Sequence, residues 1–340
     1  MDNIKKRCYE LAKSIQKKQP WNYFEDTDFI HIHLPNEKDL YIDVLGANKQ
    51  IYGVSFFEGE EGLFDLLAMA NNDCNFKRDV LYISADINNI TLYFDPVAKI
   101  NNPIFIDCIE PEYINQKGSI PYFVQFTRGF IADKPEKKEF KKLVAYLKIF
   151  DLLLEKIKDE GFSQHEDEIL SVYVDEDYEN NGTDSLSITF LPRPYMSTRY
   201  FDIPYNQKRV NKIKRKKHKN KTLLLDGFYL EPLYIEEIAD KPIFPYVAIL
   251  LDEDGFLLDY RLLVPNMDRI SCFQDMLLNE LEKNGCYKGI AIRREEIAGS
   301  IGPILSELGM EIYDIDWSVI EEIFDDLEET FNLFNGDEEQ

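Results

Sequence analysis

Nine of the fourteen residues from Lys208 to Lys221 are lysine or arginine, in a 340-residue chain with 63 acidic and 39 basic side chains. No other feature constrains the fold as strongly. Like charges crowded into so short a stretch repel one another and stay solvated. The run Lys208, Arg209, Lys212, Lys214, Arg215, Lys216, Lys217, Lys219 and Lys221 therefore reads as a hinge between folded parts. It predicts an N-terminal domain over 1–205, a basic linker over 206–222 and a C-terminal domain over 223–340. Chain length agrees, because single cores stop growing near ~250–300 residues.

Removing those nine cations leaves 30 basic against 63 acidic residues, a balance of −33 within a net charge of −24. Such a field repels duplex DNA and anionic membranes and favours solubility. The composition is that of a globular protein: 44% hydrophobic, with 23 Phe and 20 Tyr. A lysine-rich opening (Lys5, Lys6, Arg7) with no apolar run behind it argues against a secretory leader. The most apolar stretches, Tyr246–Leu251 and Leu143–Leu154, are too short or too interrupted to cross a bilayer. Five dispersed cysteines (Cys8, Cys74, Cys108, Cys272, Cys286) suit reduced thiols in a cytoplasmic protein with no membrane partner.

Periodicity predicts an α+β fold, each domain a largely antiparallel or mixed sheet packed with helices. Residues 3–18 form a helix, and 29–34 alternate as a half-buried strand with Phe29, His31 and His33 on one face. Strands follow at 40–45 and 50–57 around a Gly46-Ala47-Asn48 turn, then a short helix over 63–70 and a hairpin of 80–85 with 90–94. A long helix carries Phe140, Leu143, Val144, Leu147, Leu154 and Ile157 on one stripe. Asp133-Lys134-Pro135-Glu136 opens it and Gly161 closes it. Strands at 169–174 and 185–190 complete the domain. The second domain reads as a 246–251 and 256–264 hairpin through Asp254-Gly255, a helix over 270–283 and a strand over 288–293. A helix from Pro303 to Gly309, a strand over 311–315 and a closing helix follow, the last carrying Trp317, Ile320, Phe324, Leu327, Phe331 and Phe334.

The constellations that carry chemistry are incomplete. His31 and His33 supply half of a metal site, and no Cys or third His lies near in sequence to finish it. His165-Glu166 lacks the second histidine of a zinc-protease helix, since position 169 is Ile169. Asp175, Asp177 and Glu179 open like a calcium loop, but Asn180 and Leu186 occupy the glycine and glutamate positions it needs. Gly299-Ser300-Ile301-Gly302 matches neither a nucleophile elbow nor a phosphate loop. The sequence thus assigns no metal and no cofactor. Hairpin, helix, strand, helix, strand in the second domain partly matches a ribonuclease H-like arrangement, in which carboxylates from strands and a helix hold two metal ions. Asp252, Glu280 and Asp314 are its catalytic candidates here. Arg293-Arg294 stand where a further acid belongs.

For the basic run the sequence offers three uses. It is a solvated hinge, or a clasp onto Glu321, Glu322, Asp325, Asp326, Glu328 and Glu329 of the closing helix, or a contact to nucleic-acid phosphates. Interleaved aromatics for base stacking are missing from it.

A resemblance rests on Trp21 with Asp26 and Asp28-Phe29, on Tyr41-Ile42-Asp43-Val44-Leu45-Gly46 leading to Tyr52-Gly53, and on Glu58-Gly59 running to Gly62-Leu63. In the second half it rests on Pro245-Tyr246-Val247-Ala248 through Asp252 and Gly255 to Pro265. In these residues the chain resembles a family of uncharacterised two-domain bacterial proteins. The resemblance implies two α/β-type domains and carries over no catalytic residue. With no assembled catalytic set, the sequence favours a non-enzymatic binding or adaptor protein with a protein partner. A metal-dependent nuclease or hydrolase using the second domain's carboxylates is the alternative.

Overall fold

The computed structural model describes all residues except 1–2, 26, 36–37, 72–76, 161–166, 195–202, 237, 316, 318–320 and 328–340. The chain divides into two units, 1–196 and 197–340.

The first unit runs α1 (Asn3–Lys18), β1 (Phe29–His33), β2 (Leu40–Leu45), β3 (Gly53–Glu58), α2 (Gly59–Asn71), α3 (Lys77–Ala85) and β4 (Asn89–Pro96). It continues through α4 (Pro103–Cys108), β5 (Ser119–Phe126), α5 (Lys137–Glu160), β6 (Glu168–Val174), α6 (Tyr178–Asn181) and β7 (Leu186–Pro192). Its sheet has the order β5-β4-β3-β2-β1-β6-β7. Neighbouring strands are antiparallel except β1 and β6, which lie parallel. Period-two alternation decides which face each side chain takes. Ile30, Ile32, Ile42, Val44, Val54 and Val172 join Tyr9 and Ile15 of α1 and Leu147 and Phe150 of α5 in one apolar cluster. On the opposite face Phe29, Tyr41, Phe57 and Ile169 pack with Leu66 and Leu67 of α2. His31 and His33 lie on that second face, which also carries the polar Asp43, Ser55, Thr91 and Ser171.

The second unit contains α7 (Gln207–Ile213), β8 (Thr222–Tyr229), β9 (Tyr246–Asp252), β10 (Leu257–Leu263), α8 (Arg269–Asn284), β11 (Gly289–Ala291), α9 (Glu295–Leu308) and β12 (Glu311–Tyr313). Residues 321–327 are also helical. The sheet order is β10-β9-β8-β11-β12. β8, β9 and β10 are mutually antiparallel, whereas β11 runs parallel to both β8 and β12. One face carries Leu224, Phe228, Val247, Ile249, Leu251 and Phe324, with Trp317 and Ile323 against them.

The mixed α/β class with two sheets agrees with the sequence, and several elements differ. The largest correction concerns the basic run. Segment 206–222 is no solvated linker: it holds α7, whose Val210 and Ile213 are completely buried, and it lies within the second unit. Two apolar residues three apart on a helix suffice to seat it while its cations project outward. Residues 80–85 are part of α3 and not a hairpin strand, because a short apolar run suits either state; Val80 is exposed and Ser84 Oγ donates to the Val80 carbonyl one turn back at 2.7 Å. β4 pairs instead with β3 and β5. α9 begins at Glu295 and passes through Pro303. There the proline removes the N–H that would have met the Gly299 carbonyl one turn back. α5 starts at Lys137, after Pro135. β5 and β8 carry no clear alternation, because β8 is buried along nearly its whole length. The Gly161 stop, the His165-Glu166 pair, and Ile320, Phe331, Phe334, Glu328 and Glu329 of the closing helix lie outside the described residues.

Candidate functional site

In the first unit β1 sets His31 and His33 two residues apart on the polar face. Opposite them the register places Tyr41 of β2 beside His31, and Ser171 and Tyr173 of β6 beside His31 and His33. Tyr41 stacks on His31 at 4.5 Å and Tyr173 on His33 at 4.1 Å, while the His31 and His33 rings lie 3.9 Å apart and tilted by 49°. Asp39, just before β2, reaches both imidazoles, with Oδ2 3.0 Å from His31 Nε2 and Oδ1 3.4 Å from His33 Nδ1. His33 Nε2 lies 3.0 Å from Ser171 Oγ. Burial lowers the pKa of His31, opposed by the hydrogen bond to Asp39, and burial lifts the Tyr41 phenol to about 12. The His31 side chain is 12% exposed and that of Asp39 41%, so the carboxylate forms the open mouth. Among the described residues, these three are the one group of histidine, cysteine or acidic side chains with ligand atoms close enough to share a metal ion.

The carboxylates singled out in the second unit do not gather. Asp252 Oδ1 accepts the backbone N–H of Asp254 at 3.0 Å and of Phe256 at 2.9 Å, which shapes the β9–β10 turn. Glu280 accepts from the Tyr287 hydroxyl at 2.5 Å and the Asn284 amide at 2.7 Å. Asp314 is exposed just past β12.

The acid that sequence reading missed is Asp226, in the middle of β8 and wholly buried. Arg293 Nη2 lies 2.9 Å from it and Arg294 Nε 3.6 Å, as ion pairs not aligned as hydrogen bonds. Burial raises the Asp226 pKa, and the two guanidiniums oppose the rise. Arg293 also meets Glu321 at 2.6 Å and lies over the Trp317 and Phe324 rings. The signal was present: a lone Asp within Leu223-Leu224-Leu225-Asp226-Gly227-Phe228.

The basic run clasps its own unit, with partners on α8, on α9 and in the β9–β10 turn. The Arg209 guanidinium donates to Glu282 at 2.9 and 3.0 Å, to Asp275 at 2.8 Å and to Asn279 at 2.7 Å, all on α8. Lys214 meets Glu307 of α9 at 2.9 Å, and Lys216 donates to the Glu282 carbonyl. Lys221 meets Glu253 at 3.1 Å, while Lys219 lies over the Tyr287 ring. Lys208, Lys212, Arg215 and Lys217 are exposed.

β10 is the outermost strand of its sheet, and its apolar side chains face solvent. Phe256 is 69% exposed, Tyr260 and Leu262 are each 49%, and Leu257, Leu258 and Met267 are exposed as well. Asp259 and Arg261 flank Tyr260.

Residues 6–172 match the family described as "Domain of unknown function (DUF7309)", and residues 209–328 match "Domain of unknown function (DUF6930)". The chain joins two domains of unknown function. No curated protein and no solved structure matches it. The DUF6930 match opens at Arg209, inside the basic run, in keeping with the packing of α7. The residues behind the family resemblance serve the fold of the first unit: Gly46 has φ +134°, and a Cβ there would meet Trp21 and Tyr52, whose rings lie 4.7 Å apart. No described helix is long and apolar enough to cross a membrane.

Proposed function

We propose that the protein is a binding module that engages another chain through β10, and that its partner there is a second copy of itself. The exposed apolar strand carries this reading. An outer strand is a template for further pairing, and soluble proteins ordinarily shorten, charge or cover such an edge. The partner follows from charge. Antiparallel pairing about a two-fold axis at Tyr260 would set Asp259 of each copy against Arg261 of the other. Leu258 would then lie against Leu262, an isologous contact. The β9–β10 register shifts between Leu257 and Asp259, so the regular ladder runs from Asp259 to Leu263 and includes the Asp259 and Arg261 pair.

Catalysis by the second unit has less support. Its strand order is compatible with a ribonuclease H-like arrangement, but the central carboxylate Asp226 is closed over by two arginines, and Asp252 and Glu280 are committed to local bonds. Nucleic-acid contact through the basic run is likewise weakened, because Arg209, Lys214, Lys216, Lys219 and Lys221 have intramolecular partners.

Sedimentation across a concentration series tests the reading. Each cross-strand ion pair contributes roughly 0.2–1 kcal/mol, so Arg261→Asp converts two attractions into two repulsions. The dimer should weaken by about 1–3 kcal/mol, roughly 5- to 150-fold in dissociation constant. The double exchange Asp259→Arg with Arg261→Asp should restore it. A monomer at every concentration, or a dimer indifferent to Arg261→Asp, would rule the contact out. Metal-dependent cleavage of single- or double-stranded nucleic acid that is lost in Asp252→Asn with Asp314→Asn would instead establish an enzyme.

A further inference from the structure

We propose that His31, His33 and Asp39 form a binding site for one first-row divalent transition-metal ion of the zinc class, with three protein ligands and one position left for water. The argument is geometric. A tetrahedral zinc ion holds nitrogen and oxygen ligands at 2.0–2.2 Å, which places the ligand atoms about 3.3 Å from one another. Asp39 already lies 3.0 Å from His31 Nε2 and 3.4 Å from His33 Nδ1, and one ligand atom from each residue falls within 4.8 Å of the others. The two Asp39 distances, one through each carboxylate oxygen, already match a tetrahedral edge, so loading an ion asks for side-chain adjustment on strands that stay paired.

Two further observations support a built site. First, His33 is oriented from behind, since Ser171 Oγ meets its Nε2 at 3.0 Å and leaves Nδ1 directed at Asp39. Hydrogen bonding to the far nitrogen of an imidazole is how proteins orient a ligating histidine. Second, the rings cannot swing freely: Tyr41 stacks on His31 and Tyr173 on His33, with interplanar angles of 18° and 13°. The backbone beneath them is the β2–β1–β6 ladder, so the ligands stand on paired strands. Donor chemistry sets the class of ion. Two imidazoles and one carboxylate suit Zn²⁺, Co²⁺, Ni²⁺ or Cu²⁺, whereas Mg²⁺ and Ca²⁺ seek oxygen ligands. The net charge of −24 raises the local concentration of any cation.

The test uses the untagged full-length chain, stripped with chelator and dialysed. Titration with ZnCl₂ by calorimetry should give one ion per chain. Titration with Co²⁺ should give the intense visible bands of a tetrahedral site. Asp39→Asn and His33→Asn should each abolish that band. The Asp39 side chain is 41% exposed, and circular dichroism will verify that its replacement leaves the fold intact. Ser171→Ala should retain the site with affinity reduced about 10–100-fold. Excess Mg²⁺ should not compete. Absence of binding, or one-ion binding that persists in the His31→Asn, His33→Asn, Asp39→Asn triple variant, overturns the proposal.

Discussion

Replacing Ile213 by Ala distinguishes a packed α7 from a solvated hinge. The Ile213 side chain is completely buried and belongs to the second unit. Truncation removes three carbons, worth roughly 0.8 kcal/mol each in transfer free energy. The cavity left behind adds to that loss, and buried Ile→Ala changes cost about 2–5 kcal/mol in total. Around 3 kcal/mol is the expectation here, because the short α7 has room to settle toward α8. With a urea m-value of about 1–3 kcal/mol per molar, the unfolding midpoint should fall by roughly 1–3 M. The two tryptophans provide the assay, one in each unit: Trp21 and Trp317. In a Trp21→Phe background, fluorescence reports Trp317, which packs against the cluster of Leu224, Phe228 and Phe324. Lys217→Ala, at an exposed position of the same run, should leave the midpoint unchanged. If Ile213→Ala also leaves it unchanged while the transition stays cooperative, α7 contributes nothing to the core and the linker interpretation stands.

Two more outcomes follow from the same unit. Arg293→Met should destabilise it by about 3–5 kcal/mol, because Asp226 would remain buried without its nearest counter-charge; the Trp317-reported urea transition measures this, and a shift under 1 kcal/mol would contradict the pairing, for which such losses are typical. Asp268 caps α8, accepting the Ser271 N–H at 3.1 Å and the Ser271 hydroxyl at 2.5 Å, and the hydrogen bond from the Ser271 side chain is the leading cause that holds its carboxyl below the ordinary 3.8. A depressed carboxylate contributes stability that is present above pH 3.8 and lost as pH falls through the lower folded value. The advantage of wild type over Asp268→Asn, a few tenths of a kcal/mol given that Asn also caps well, should therefore be constant near neutrality and vanish in acid melts; an advantage that grows below pH 3.8 refutes the assignment.

Local chemistry made much of the architecture legible in the sequence. Alternation placed β1 and the face of His31 and His33. Helical stripes placed α5 and α8, and Asp254-Gly255 placed the β9–β10 hairpin. The sequence also noted that Arg293-Arg294 occupy a position where an acid would be needed, and the structure shows both reaching Asp226. What escaped sequence reading was whatever depends on neighbours. Periodicity cannot reveal that Val210 and Ile213 pack against α8 and α9, so by sequence alone a charge run that repels itself reads as a solvated hinge. In the fold, Asp275, Glu282 and Glu307 compensate that repulsion from 66 to 93 positions away.

The candidate metal site follows the same division. Sequence alone determined two imidazoles on one strand face, because side chains two apart in a strand must share a side. Tertiary structure supplied the third ligand, since Asp39 lies eight residues from His31 and meets it only when β2 folds back antiparallel onto β1. It also supplied Ser171 and Tyr173, 138 and 140 positions from His33, through the parallel pairing of β1 with β6. A strand's own pattern fixes which way its side chains point; which groups they meet is decided by pairings whose partners lie far away along the chain.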